Sequence, residues 1–354
     1  MHELKGRFRA LDRIPAPDLW RRIQRRRPAD LPLGRSWRRV AVAGLAVAVA
    51  GAGVTVAVRA FVGGNATRVV LTPPPVTRGA NGEIAFVRGA SGSHPTIYVM
   101  RPDGTGLKRL TTGGGSSFDP VWSPDGTRIA FVAATPSNIY VMNADGSNVA
   151  RISSCDRACV DVEPAWSPDG RRIAFVRRGD IYVMNADGSG VRRVIHAETP
   201  LGDGQPAWSP DGARIAFIAL REPPSQVPAI YVVNSDGTNL RKLTRCGPET
   251  CVDSEPTWSP GGTHIAFLRA RDIYVMSDSG TGVKVLIGCD RIPGCVSLGE
   301  PEWSPDETQI AFTVERSDGS RQLFTMALQT GKVSRLIASR TDDCCPSWQA
   351  LPVA

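Results

Sequence analysis

Enzyme signatures are missing from this chain of 354 residues. It has no Gly-x-Ser-x-Gly nucleophile elbow, no Walker-type phosphate loop and no His-Glu-x-x-His motif. Only four histidines occur, His2, His94, His196 and His264, and they are scattered. A general base held beside a nucleophile therefore has no evident source. No cysteine precedes Cys155, which excludes a Cys-x-x-Cys zinc domain from the N-terminal region. The body of the chain also lacks net charge. Residues 40–354 hold thirty residues of each sign, whereas residues 1–39 hold twelve Lys/Arg against four Asp/Glu. The formal net charge of +8 thus belongs to a short arm, and a basic nucleic-acid-binding stripe on the folded body is excluded.

A single long stretch, Val40 to Val58, runs nineteen residues without a charge or a proline. As a helix it spans roughly 30 Å, about the thickness of a hydrocarbon core. Arg35, Arg38 and Arg39 abut its N-terminal end and only Arg59 follows it. The positive-inside rule then puts the N-terminus in the cytoplasm and the rest outside. The rival reading is a cleaved signal peptide, with small residues at Ala50 and Ala52; an n-region of 39 residues is long for one. We expect a basic cytoplasmic arm at 1–39, a transmembrane helix at 40–62, a linker at 63–80 and a folded domain at 81–354.

Within the arm, Leu19, Trp20 and Ile23 share one helical face and Arg21, Arg22, Arg25, Arg26 and Arg27 fill the rest. Such a basic amphipathic helix suits anionic headgroups or a cytoplasmic protein partner. The segment Arg9 to Trp20 resembles the cytoplasmic leader of some actinobacterial membrane proteins, anti-sigma-like ones among them.

An internal repeat dominates the remainder. Trp-Ser-Pro begins at Trp122, Trp166, Trp208, Trp258 and Trp303, and Pro346-Ser347-Trp348 is a truncated sixth copy. Each full copy leads into Ile-Ala-Phe (Ile129, Ile173, Ile215, Ile265, Ile310), and an additional Ile84-Ala85-Phe86 opens the series. A run such as Ile139-Tyr140-Val141-Met142 follows, then an Asn-x-Asp-Gly turn and a short strand. Four short strands per unit cannot bury both faces alone, so units stack radially as blades. The remnants at the two ends make one blade if the strand near Cys345–Leu351 pairs beside Gly82–Val87. The expectation is an all-β fold, a six-bladed β-propeller of four-stranded blades.

Pro-x-Trp-Ser-Pro-Asp-Gly, Ile-Ala-Phe and Ile-Tyr-Val-Met-Asn-x-Asp-Gly together resemble the TolB-like, WD40-type (PD40) repeat over about residues 80–351. The resemblance implies a binding scaffold rather than an enzyme. TolB proteins carry an α/β domain before the propeller that this sequence has no room for, so their particular partners are not carried over. A hydrolase-related propeller would need a catalytic domain with a nucleophile elbow.

The residue before each blade-entry proline reads Asp119, Glu163, Gln205, Glu255, Glu300 and Cys345. These positions lie near a propeller's central channel, where the acids would ring one mouth, joined by Asp161 and Asp253. Such a ring attracts cations or a basic peptide; alternatively each acid accepts hydrogen bonds from a neighbouring blade. The Asp-Gly turns supply too few oxygens for calcium. Cys155 with Cys159, Cys246 with Cys251, and Cys289 with Cys295 fall in equivalent loops before the Trp strand, with Cys344 and Cys345 in the last copy. Pairs within one loop suit local disulfides in an oxidising compartment. Zinc is the rival, without histidines nearby. Adjacent Cys344 and Cys345 fit a mutual disulfide poorly, so each is expected to have another fate. No cofactor, metal or nucleic acid is expected. The expected function is an extracytoplasmic binding module anchored in the cytoplasmic membrane, which grips a protein, peptide or glycan. The alternative is a transmembrane signal transducer whose arm holds a cytoplasmic regulator.

Overall fold

A computed structural model describes residues 79–89, 94–134, 137–154, 160–198, 202–221, 227–245, 252–337 and 342–351. The expected arm, membrane helix and most of the linker, with Arg35, Arg38 and Arg39, lie outside these residues. Among the described residues no helix is long and apolar enough to cross a membrane.

The Ile-Ala-Phe triplet explains how the blades stack. On a strand, alternate side chains point to opposite faces. With the sheet that holds Ala80–Arg88 counted as the first blade, Ile215 and Phe217 of the fourth pack toward the third, against Val183 and Val194, while Ala216 faces the fifth. The small Ala216 leaves room for Trp258, Ile265 and Phe267 of that next blade. The same division recurs in the second blade, where Ile129 and Phe131 face the first and Ala130 faces the third. Large side chains on one face and a small one on the other give every interface the same interlock. Six hydrophobic clusters result, one per blade boundary. Both faces of the second strand are covered, so Ile173, Ala174 and Phe175 are all fully buried.

Six four-stranded antiparallel sheets form the ring. Five are made of consecutive strands, with inner strands Ser117–Trp122, Asp161–Trp166, Gly204–Trp208, Asp253–Trp258 and Cys295–Trp303. The sixth, called blade 1 here, takes its inner strand Asp343–Leu351 from the C-terminal end and pairs it with Ala80–Arg88. This is the expected one-plus-three closure; its strand begins at Ala80, the last residue of the expected linker. Ala80 pairs with Leu351, and Arg88 with Asp343, across the full length of the two strands. Across the closure, the Gln349 carboxamide accepts the Glu83 N–H at 3.0 Å and donates to Gly126 O at 2.8 Å.

The Asp-Gly turns are geometric devices. Asp125 Oδ1 accepts from the Ser123 hydroxyl, from Thr127 N–H and from the Thr127 hydroxyl, which locks the turn. In the second family of turns, Gly237 has φ +95°, and a Cβ there would sit 2.7 Å from the Val194 carbonyl of the preceding blade. Gly280 meets Leu243 O in the same way. The glycine thus serves the packing between blades as well as the turn.

Candidate functional site: the channel mouth

Each inner strand carries a bulge where the ring residues sit. The register shifts between Val162 and Ala165, between Ser254 and Thr257, and at the equivalent point of the other inner strands. The residue in the bulge takes a left-handed conformation: φ is +48° at Asp119, +54° at Glu163, Gln205 and Glu255, +51° at Glu300 and +61° at Cys345. Six non-glycine residues held this way at equivalent places mark a functional or architectural demand.

The demand is a relay around the channel. Asp119 accepts the Glu163 N–H. Glu163 Oε2 accepts the Gln205 N–H at 2.6 Å, and Gln205 Oε1 accepts the Glu255 N–H at 2.7 Å. Glu255 Oε2 accepts the Glu300 N–H at 2.5 Å, and Glu300 Oε2 accepts the Cys345 N–H at 2.7 Å. Each side chain caps the backbone that its neighbour's bulge leaves unpaired. The structural alternative raised from sequence is therefore realised, and it brings the acids together at one mouth as well. The relay stops at Cys345, whose sulfur offers Asp119 no oxygen.

The ring opens a central cavity of about 460 Å3 lined by all six inner strands. Within it the carboxyls are half-buried, and the shifts follow from their surroundings. Burial pushes Asp119 up to about 6, with the Glu300 charge adding to it. Burial takes Glu163 to about 7 against the Gln205 N–H, with Asp119 adding. Glu255 rises to about 8, through burial first and the Glu300 charge second.

Asp161 and Asp253 do not join the ring. Both are fully buried behind it, each in a two-point ion pair: Arg177 holds Asp161 at 2.6 and 2.7 Å, and Arg269 holds Asp253 at 2.6 and 2.9 Å. Asp203 with Arg221 and Asp343 with Arg88 repeat the clamp. Each guanidinium also lies over a Phe–Tyr pair, as Arg177 does over Phe175 and Tyr182 at 5.2 and 5.5 Å. The clamps tie the inner strand of a blade to its second strand.

Sequence reasoning missed Glu302. It lies one layer down the channel, where the other blades place Val121, Ala165, Ala207, Thr257 and Ser347. Its Oε2 accepts the Thr257 hydroxyl at 3.1 Å, and burial pushes it up to about 7. The signal was present as the one charged residue in a column of small ones.

Cys289 and Cys295 form the expected local disulfide, with Cα atoms 5.6 Å apart. Cys155, Cys159, Cys246 and Cys251 lie outside the described residues. Cys344 and Cys345 are not in a loop and do not have separate fates: they fall within the strand Asp343–Leu351 and are joined to each other.

No family model matches the chain. Over 66 residues it is 41% identical to the protein TolB homolog of Chlorobium luteolum, a stretch that is 19% of this chain and 15% of that protein. Its structure superposes on TolB from Acinetobacter baumannii with a TM-score of 0.64 at 20% identity, over 76% of this chain and 66% of that one. A chain of the nidogen/laminin complex superposes with a TM-score of 0.61 at 13% identity, over 75% and 98%. The fold is a TolB-like six-bladed β-propeller. The matched stretch is far less than two thirds of the curated relative, and the structural likeness carries the architecture alone.

Chemically, this propeller's mouth is an acidic ring whose Asp119, Glu163 and Glu255 carboxyls burial raises above the ordinary carboxylate range. With Glu302 one layer down, four carboxyls lining the cavity are raised to between about 6 and 8. A cation placed beside these carboxyls would favour their charged forms.

Proposed function

We propose that this chain is a non-enzymatic binding module that grips a cationic segment of a protein partner at the acidic channel mouth. The observation that carries this reading is the ring of Asp119, Glu163, Glu255 and Glu300 converging on one open cavity. Carboxyls focused in a low-dielectric funnel attract Lys- or Arg-rich chain and steer its approach. The TolB homologue match and the propeller found in a nidogen/laminin complex are in keeping with a protein partner. The basic arm and the apolar stretch Val40 to Val58 support anchoring in the cytoplasmic membrane, with the propeller on the extracytoplasmic side. The Cys289–Cys295 disulfide agrees with an oxidising compartment there.

The test is crosslinking in the native membrane from photoreactive residues at the ring. A shared protein adduct from positions 163 and 255, absent from a site on the outer strands, supports the reading. Adducts independent of position defeat it.

A second reading, a transmembrane signal transducer, rests on the arginine-rich stretch from Arg21 to Arg27 and on the resemblance of the segment Arg9 to Trp20 to anti-sigma-like leaders. A pulldown with residues 1–39 separates the two. Loss of a cytosolic partner on Arg-to-Glu changes in that stretch favours the transducer, and unchanged binding removes it.

A further inference from the structure

Cys345 breaks the six-fold pattern of the mouth. Five ring members offer an oxygen to the next blade, whereas the sixth offers sulfur and is preceded by a second cysteine. The other blades carry Phe118, Val162, Gly204, Ser254 and Gly299 at the place of Cys344. Neighbouring residues on a regular strand point to opposite faces. Here the left-handed φ of +61° at Cys345 and the register shift opposite Ala85 and Val87 bring both sulfurs to one side. A disulfide between chain neighbours closes no loop, so it restrains the unfolded chain hardly at all. The stabilising role available to Cys289–Cys295, six residues apart, does not extend to it.

Glu300 faces this pair. Its Oε2 is fixed by the Cys345 N–H at 2.7 Å and the Thr313 hydroxyl at 2.6 Å. That holds Oε1 toward Cys345 Sγ at 3.2 Å. Both sulfurs and a Glu300 carboxylate oxygen lie within 4.8 Å of one another. Cys345 and Glu300 line the channel cavity, and Cys344 is buried behind them.

We propose that the reduced Cys344–Cys345 pair and Glu300 form a three-ligand site for zinc or a similar thiophilic divalent ion in the channel wall. Zinc takes thiolate sulfur at about 2.3 Å and carboxylate oxygen at about 2.0–2.2 Å, and the three donor atoms already lie within 4.8 Å of one another around one point. A dithiol reductant supplies two electrons and two protons: the S–S bond breaks, two thiols form, and the reductant leaves as its own disulfide. Metal binding then releases the two thiol protons to solvent. Oxidation withdraws both sulfur ligands, so the site is gated by redox state. The site goes beyond the binding reading, which stands whether or not a metal binds.

Cadmium is the probe, read through the ultraviolet thiolate-to-cadmium charge-transfer band of the full chain, reduced with a dithiol and desalted anaerobically. Subtracting the Cys344→Ser/Cys345→Ser double variant removes the signal of the other cysteines. Wild type is expected to bind one equivalent more than the double variant. Glu300→Gln keeps an oxygen for the Cys345 N–H, as Gln205 does for Glu255, so the ring is preserved. It should keep the stoichiometry and raise Kd by about tenfold or more. Equal stoichiometry in wild type and the double variant overturns the proposal. So does an unchanged Kd in Glu300→Gln, or equal binding by the oxidised wild type.

Discussion

The Glu255 carboxylate accepts the Glu300 N–H at 2.5 Å across the boundary between two blades. One side chain thus holds the ring together and charges its mouth, and the two duties respond oppositely to pH. Burial and the Glu300 charge raise Glu255 to about 8, above an ordinary glutamate. A raised carboxyl stabilises the fold below its unfolded pKa, and that contribution is lost as pH rises through the folded value. Glu255→Gln keeps the acceptor and removes the charge. Its melting temperature should exceed wild type by a few degrees at pH 8, roughly 2–4 °C per kcal/mol in a domain of this size. The gap should close toward pH 5, as scanning calorimetry at both pH values would register.

Ligand binding should run the other way. Asp119, Glu163 and Glu255 gain charge between about pH 6 and 8. Affinity for a Lys/Arg-rich peptide should therefore rise over that interval and fall with added salt. Calorimetric titration in two buffers of different ionisation enthalpy should show protons released on binding. A pH-independent Kd would count against the funnel as the site.

The clamps behind the ring are structural, and Asp161→Ala should show it. The substitution leaves the Arg177 guanidinium, 17% exposed, without its buried partner. The expected loss is about 3 kcal/mol, at the low end for a broken buried pair. Urea unfolding would report it as a lower midpoint at unchanged slope. An equal loss in Asp253→Ala would follow from the matching Arg269 pair.

Gly237→Ala tests the turn. It combines a left-handed φ of +95° with a Cβ pressed against the Val194 carbonyl. A cost of about 2–3 kcal/mol is expected, against almost none for alanine at Gly113, where nothing lies within 4 Å.

Removing residues 343–354 takes the inner strand from blade 1 and leaves the edge of Ala80–Arg88 open. An exposed edge in a ring seeks another strand. The truncated protein should elute from size exclusion as oligomers or aggregate, and a monomer with native circular dichroism would contradict the closure.

Blade number, strand order and the closure were legible because the repeat is written in residues that do structural work. Ile-Ala-Phe encodes large and small faces, and Asp-Gly encodes turns. The ring positions were legible for the same reason, as the residue before a recurring proline. The partners of the side chains were not. Asp161 and Asp253 look like ring acids in one dimension, but the bulge at Glu163 and Glu255 turns them away from the channel and into the reach of Arg177 and Arg269. Glu302 was hidden because its importance lies in differing from its column. The pairing of Cys344 with Cys345 depended on a left-handed φ that no local pattern of hydrophobicity announces.

Because Ala80 lies opposite Leu351, the chain enters and leaves the ring at one point. Tension applied between these two ends would not be shared by the six blades. It would fall on a single antiparallel pair and open that pair like a zipper, one bond after another. The blade at which the circle closes is therefore also the mechanical seam of the molecule, and Cys344, Cys345 and Gln349 all lie along it.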